Sequence, residues 1–149
     1  MPTPAHVPST GFLIWHLSLR WRAAMDRALS PWGLTSSQYA VLATLSGMLA
    51  GGGAPNQRQL AEFSGLEPMH VSKLIRGLER AGLVERAANP ADPRAVLLGV
   101  TDAGARAVAA GRRAVVQLEE QQLTPLGGVA DPRSAELHRT LLELLRHAG

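Results

Sequence analysis

The run from Pro68 to Val100 constrains this chain most, because a helical pattern passes there directly into two short β-like runs, LVERAA and AVLLGV, separated by NPADPR. Glu67 or Pro68 starts the helix, since proline is tolerated in a first turn, and Gly82 stops it in a left-handed C-cap position. At about 100° per residue with Val71 at zero, Leu74, Ile75 and Leu78 fall within roughly 60° of it and form a face for burial. Met69, Lys73, Arg76 and Arg80 fall at about 140 to 200° on the same count, directly opposite. Ser72 and His70 flank that stripe, and Glu79 sits to the side. Any surface helix carries a charged outer stripe, but this one is purely cationic and is followed at once by a hairpin.

The preceding stretch, LAEFSGLEPMHVSKL, supplies what two helices crossing closely require. Ala61 is small, Gly65 is free to take positive φ, and Val71 and Leu74 face inward, the four standing at the offsets of a helix-turn-helix. Asn56 and Gln59 offer the N-cap and N3 pair of the first of these helices, which ends near Gly65. A helix-turn-helix with a hairpin behind it is the winged-helix arrangement, with the helix suited to the major groove and the wing to backbone or minor groove.

Further helices lie on both sides. Ile14, Leu17, Trp21, Ala24 and Ala28 recur at helical spacing up to Pro31 and Gly33, and Val41, Leu42, Leu45, Met48 and Leu49 share a face behind Thr35 or Ser36. The GGGAP run at 51–55 stops that second helix and is expected to add slack. Thr101 and Asp102 open a long helix reaching about Leu123, and Asp131 or Ser134 opens a last one carrying Leu137, Leu141 and Leu144 or Leu145. The end helices have apolar faces without a core of their own, the mark of helices that pack on each other or on a second copy.

Composition excludes more than it suggests. The chain has no cysteine, so disulfides, thiolate metal sites and thiol switching are ruled out and a cytoplasmic protein is the default. FLIWHLSL at 12–19 has no basic residue before it and is expected to be neither signal peptide nor membrane span. Of the 15 basic residues 14 are arginine, a bias that genomic base composition also produces, so the pI near 10.5 argues only weakly for nucleic acid. The histidines at 6, 16, 70, 138 and 147 show no ligand-type spacing, and serines 36, 37, 46, 64 and 72 have no nucleophile motif around them. Neither a metal, a cofactor nor an enzymatic activity is expected.

VSKLIRGLERAGLVER followed by DPRAVLLGVT resembles the MarR family of transcription regulators, whose pattern is a recognition helix ending in LExxGLVxR, then a wing with DxR and a strand closing on an apolar residue and threonine. Leu78, Glu79, Gly82, Leu83, Val84 and Arg86 match the first part, and Asp92, Arg94, Val100 and Thr101 the second. The resemblance implies a mainly α fold with a small β-hairpin wing, a winged helix-turn-helix with flanking dimerisation helices. It implies a homodimer, a pseudopalindromic double-stranded operator, and a regulator expected to act as a repressor. In the carried pattern Arg94 inserts into the minor groove and Asp92 orients it, while the helix over 68–81 meets base edges and the wing spans 84–100.

The expected organisation is a dimerisation region at 1–34 and 104–149 around a winged helix-turn-helix at 35–103. The DNA-binding candidates are Met69, His70, Ser72, Lys73, Arg76, Arg80, Arg86, Asp92 and Arg94, with Arg80 and Arg86 read as phosphate or structural residues. Pro90 and Pro93 flank the wing tip and stiffen it by holding Asn89 and Asp92 extended. Regulators of the resembling kind often bind a small aromatic or lipophilic effector, for which Trp15, His16 and Tyr39 are the candidates. The plainer reading of the aromatics in the first two helices is core or interface. The competing function is a winged-helix module for protein contacts without operator binding, which has no need of a purely cationic stripe together with a wing-tip arginine.

Overall fold

A computed structural model describes residues 7–149; residues 1–6, His6 among them, lie outside it. Six α-helices and one hairpin follow in chain order: α1 (Thr10–Leu29), α2 (Ser36–Ala50), α3 (Gln57–Ser64), α4 (Pro68–Arg80), β1 (Val84–Asn89), β2 (Asp92–Val100), α5 (Asp102–Gln122) and α6 (Pro132–Ala148). The fold is mainly α with an antiparallel two-stranded wing, as the residue pattern implies.

The helix boundaries follow from local chemistry. Thr35 with Gln38, and Asn56 with Gln59, both form complete capping boxes, so the first orphan N–H groups of α2 and α3 are met from within their own first turn. Between α1 and α2 the chain makes a single 3-10 turn at Ser30–Trp32, closed by Gly33 at φ +68°. The Ser36 backbone N–H donates to Asp26 Oδ1 at 2.7 Å, tying the start of α2 to α1. That bond, with the Ser36 side chain next and Arg22 contributing, holds the Asp26 carboxyl below its ordinary value of 3.8 against a small opposing effect of burial.

One continuous core joins the middle elements. Val41, Leu42 and Leu45 of α2, Leu60 of α3, and Val71, Ile75 and Leu78 of α4 are fully buried and meet Val84 and Leu98 of the hairpin and Ala107 and Val108 of α5. The apolar stripe of α1 is buried only toward its C-terminal end. Ala24 is buried, whereas Ile14 and Leu17 are 45% and 53% exposed. Leu137, Leu141, Leu142, Leu144 and Leu145 of α6 are also exposed. Between these half-covered faces of α1, α5 and α6 lies an apolar cleft of about 800 Å³, lined by Leu13, Leu17, Trp21, Leu123, Leu137 and Leu141 among others.

Two connections differ from the sequence reading. The GGGAP run adds no slack: the N–H groups of Gly51, Gly52 and Gly53 donate to Gly47, Leu49 and Met48 carbonyls and cap α2, and the Pro55 carbonyl accepts from Leu98 N at 3.0 Å. The linker is thus bonded to α2 at one end and to the wing at the other. The strands also differ from the two β-like runs: β1 is shifted by one residue relative to LVERAA, and β2 starts three residues before AVLLGV. The turn itself is Pro90–Ala91, and Asp92, Pro93 and Arg94 belong to β2.

Candidate nucleic-acid interface

The outer face of α4 is built as the helical count requires. With Val71, Ile75 and Leu78 buried, Met69, His70, Lys73, Arg76 and Arg80 are exposed and Ser72 is half-buried at the edge. Salt bridges among the described residues are Arg58–Glu62 and Arg86–Glu79, so Lys73, Arg76, Arg80 and Arg94 carry charge that no protein carboxylate neutralises there. A row of uncompensated cations on one helix face generates the positive potential that attracts phosphate. The start of α4 is open as well. Its N-cap, Glu67, makes no side-chain cap bond, whereas Ser9, Thr35, Asn56, Thr101 and Asp131 cap the other five α-helices.

Arg86 stands apart from the other basic candidates. It pairs with Leu98 across the hairpin, on the face that also carries buried Val84, and its Nε donates to Glu79 Oε2 at 2.9 Å. Its guanidinium therefore holds the wing against the last turn of α4. The Glu79 and Arg86 side chains are 39% and 32% exposed, so solvent screening keeps the pair's contribution below about 1 kcal/mol. The helical count sets Glu79 to the side of the cationic stripe and gives it no partner. Its signal was an acid in the last turn followed seven residues later by an arginine on a strand.

The wing tip is set by two side chains that turn the backbone. Asn89 Oδ1 accepts from Ala91 N at 2.9 Å, and Asp92 Oδ1 accepts from Arg94 N at 3.0 Å. Asp92 thus orients Arg94 through its backbone N–H, a local turn of the kind asparagine and aspartate favour. Pairing passes from Ala88↔Val96 directly to Asn89↔Asp92, leaving Pro93, Arg94 and Ala95 as a bulge on β2. Proline fits a bulge because it has no N–H to give to the ladder. Arg94 is exposed at this bulge.

The base of the wing is fastened to the end of α4. Gly82 takes φ +73°, the left-handed conformation expected of it. Thr101 Oγ1 donates to the Gly82 carbonyl at 2.6 Å and the Thr101 N–H to the Leu83 carbonyl at 3.1 Å. Thr101 Oγ1 also accepts from Gly104 N, capping α5. Gly104 lies so close that a Cβ there would collide with the Leu83 carbonyl and meet Val100 Cγ1 at 2.8 Å. The residue pattern marks Thr101 as a helix cap and as the close of the wing strand, and it does not mark Gly104. Their role at the wing base depends on Leu83, about twenty positions earlier.

Trp15, His16 and Tyr39 are not brought together. Trp15 is 60% exposed and His16 exposed on α1, both beside Phe12, whose ring centroid lies 6.4 and 5.4 Å from theirs. Tyr39 is half-buried on α2 against α5, where a Cβ on Gly111 would meet its ring at 2.7 Å. None of the three lines the apolar cleft or the smaller hollow beside Trp32 and Arg113. Among the described residues no cluster of three or more metal-ligating side chains occurs, and no helix is long and apolar enough to cross a membrane.

Comparison with known proteins agrees with this geometry. Residues 34–96 match the model of the MarR family. The chain is 37% identical over 112 residues to the uncharacterized HTH-type transcriptional regulator YdcH of Bacillus subtilis, covering 75% of this chain and 76% of that one. A MarR-family transcriptional regulator from Rhodococcus superimposes with a TM-score of 0.78 at 27% identity over 95% of this chain and 96% of that one. MepR of Staphylococcus aureus, solved as a DNA complex, shares the fold with a TM-score of 0.83 at 22% identity, over 95% of this chain and 99% of that one. A winged helix-turn-helix with an open cationic helix face, matched in sequence by such relatives, places this chain in the MarR family of transcription regulators.

Proposed function

We propose that this regulator is a homodimeric repressor that binds a pseudopalindromic DNA operator. The observation that carries the reading is the uncompensated cationic row of Lys73, Arg76 and Arg80 on α4, together with Arg94 at the bulged tip of the wing. In this reading α4 enters the major groove, with His70, Ser72, Lys73 and Arg76 toward base edges and Arg80 toward phosphate. Arg94 enters the adjacent minor groove, where a narrow A·T-rich groove concentrates negative potential. Asp92 presets the Arg94 backbone, so less ordering is left for the moment of binding.

The dimer reading rests on the outer helices. Residues 1–34 and 104–149 form the dimerisation region and residues 35–103 the DNA-binding unit, because the exposed leucines of α1 and α6 flank an apolar cleft that a second protomer fills. A small aromatic or lipophilic effector would meet Trp15 and His16 only where the second copy completes a pocket around α1. DNA as partner places the protein in the cytoplasm.

Selection of bound sequences from a random double-stranded pool tests the whole reading. Enrichment of an inverted repeat, with half-sites about one helical turn apart (roughly 10 bp), is the expected result. A pool that shows no enrichment at low salt overturns operator binding, and a single unpaired half-site overturns the symmetric dimer.

A further inference from the structure

Large apolar side chains exposed among the described residues are unevenly distributed. Most sit on α1 and α6, where a second protomer accounts for them. Within residues 35–103 only Phe63, Met69 and Val96 are exposed large hydrophobics among the described residues, and the first two are 74% and 80% exposed. They stand at opposite ends of the helix-turn-helix turn, Phe63 in the last turn of α3 and Met69 in the first turn of α4. Single exposed hydrophobics are ordinary on a protein surface. Two of the most exposed, bracketing the turn that leads into the helix whose N-terminal residues meet base edges, are not scattered.

Met69 shares its face of α4 with Lys73, Arg76 and Arg80, so whatever those cations approach, Met69 approaches too. The occupant is therefore polyanionic yet carries an apolar group within reach. In the major groove that group is the 5-methyl of thymine, which A·T pairs present and which apolar side chains contact. Methionine suits it, being unbranched, polarizable and adaptable. We infer that Met69 and Phe63 form an apolar reader of thymine methyl groups within each half-site, supplementing the polar contacts of α4. The inference rests on the operator-binding reading above.

The test uses the full chain and its selected operator, titrated at fixed salt, with each thymine replaced in turn by deoxyuridine so that only the methyl is removed. At one or more positions per half-site the affinity of the wild-type protein is expected to fall about four-fold, the worth of one buried methyl group. That loss is expected to vanish in Met69→Ala or in Phe63→Ala, and to persist in Met69→Leu, which keeps an apolar tip. Both alanine variants remove exposed side chains, so an unchanged thermal melt verifies that the fold is intact. Uridine replacement without effect at every position overturns the inference, and so does a loss that persists undiminished in both alanine variants. A protein that binds no selected DNA overturns the operator reading instead, which keeps the two failures distinct.

Discussion

The lobe formed by α2 to β2 and the outer helices α1 and α6 use similar amounts of leucine to opposite effect. In the lobe, Leu42, Leu45, Leu60 and Leu78 are fully buried within a single chain, whereas Leu137, Leu141, Leu144 and Leu145 of α6 remain exposed. The same amphipathic pattern therefore marks a finished core in one region and an uncovered apolar face in the other. What separates them is whether the chain itself supplies the facing surface.

The sharpest way to break this contrast is to truncate one leucine on each side. Leu78→Ala is expected to cost about 2 to 5 kcal/mol of unfolding free energy, measured by urea titration, because a buried cavity is left behind. Leu145→Ala, at 70% exposure, should leave the unfolding of the monomer nearly unchanged while weakening self-association in sedimentation equilibrium. Equal losses of stability for both would erase the distinction. Next in size is Gly104→Ala, whose Cβ meets the Leu83 carbonyl; moving α5 off the wing base should cost about 1 to 3 kcal/mol in the same titration.

A second pair separates binding from folding. Arg94→Ala and Lys73→Ala are each expected to weaken operator affinity about ten-fold, or about 1.4 kcal/mol, with the melting temperature unmoved. Arg94→Ala alone should also blunt A·T preference beside the half-sites. Unaltered affinity in both would remove these residues from the interface. The smallest effect concerns the joint between the two regions. Asp26 has a folded-state value below 3.8, so its contribution to stability is present above pH 3.8 and lost as pH falls through that lowered value. Asp26→Asn should flatten the acid limb of stability against pH, and an unchanged limb would exclude Asp26 as a contributor.

What could be read from the residues is what depends on neighbours a few positions away. The capping boxes at Thr35 and Asn56, the left-handed Gly82 and the opposed faces of α4 all close within one or two helical turns. What could not be read are contacts between distant segments: Pro55 with Leu98 and Gly104 with Leu83. The slack assigned to GGGAP failed for this reason, since the carbonyl that fixes it meets a donor on the wing. Trp15, His16 and Tyr39 cluster along the chain, but α1 and α2 turn them toward different surroundings. Phe63 lies only about 60° from Leu60 around its helix, at the edge of the buried face, and periodicity gave no warning of its exposure.

The fastening of Thr101 and Gly104 to Gly82 and Leu83 has a mechanical consequence. It welds the first turn of α5, the foot of the wing and the end of α4 into a single crank. The wing projects roughly 20 Å from that pivot at strand rise, so turning the foot by about 6° swings the tip by about 2 Å. Displacement of that size is enough to lift an arginine out of hydrogen-bonding range. A small twist of α5 thus reaches the wing tip magnified, and Gly104 is the residue whose missing side chain keeps the crank tight.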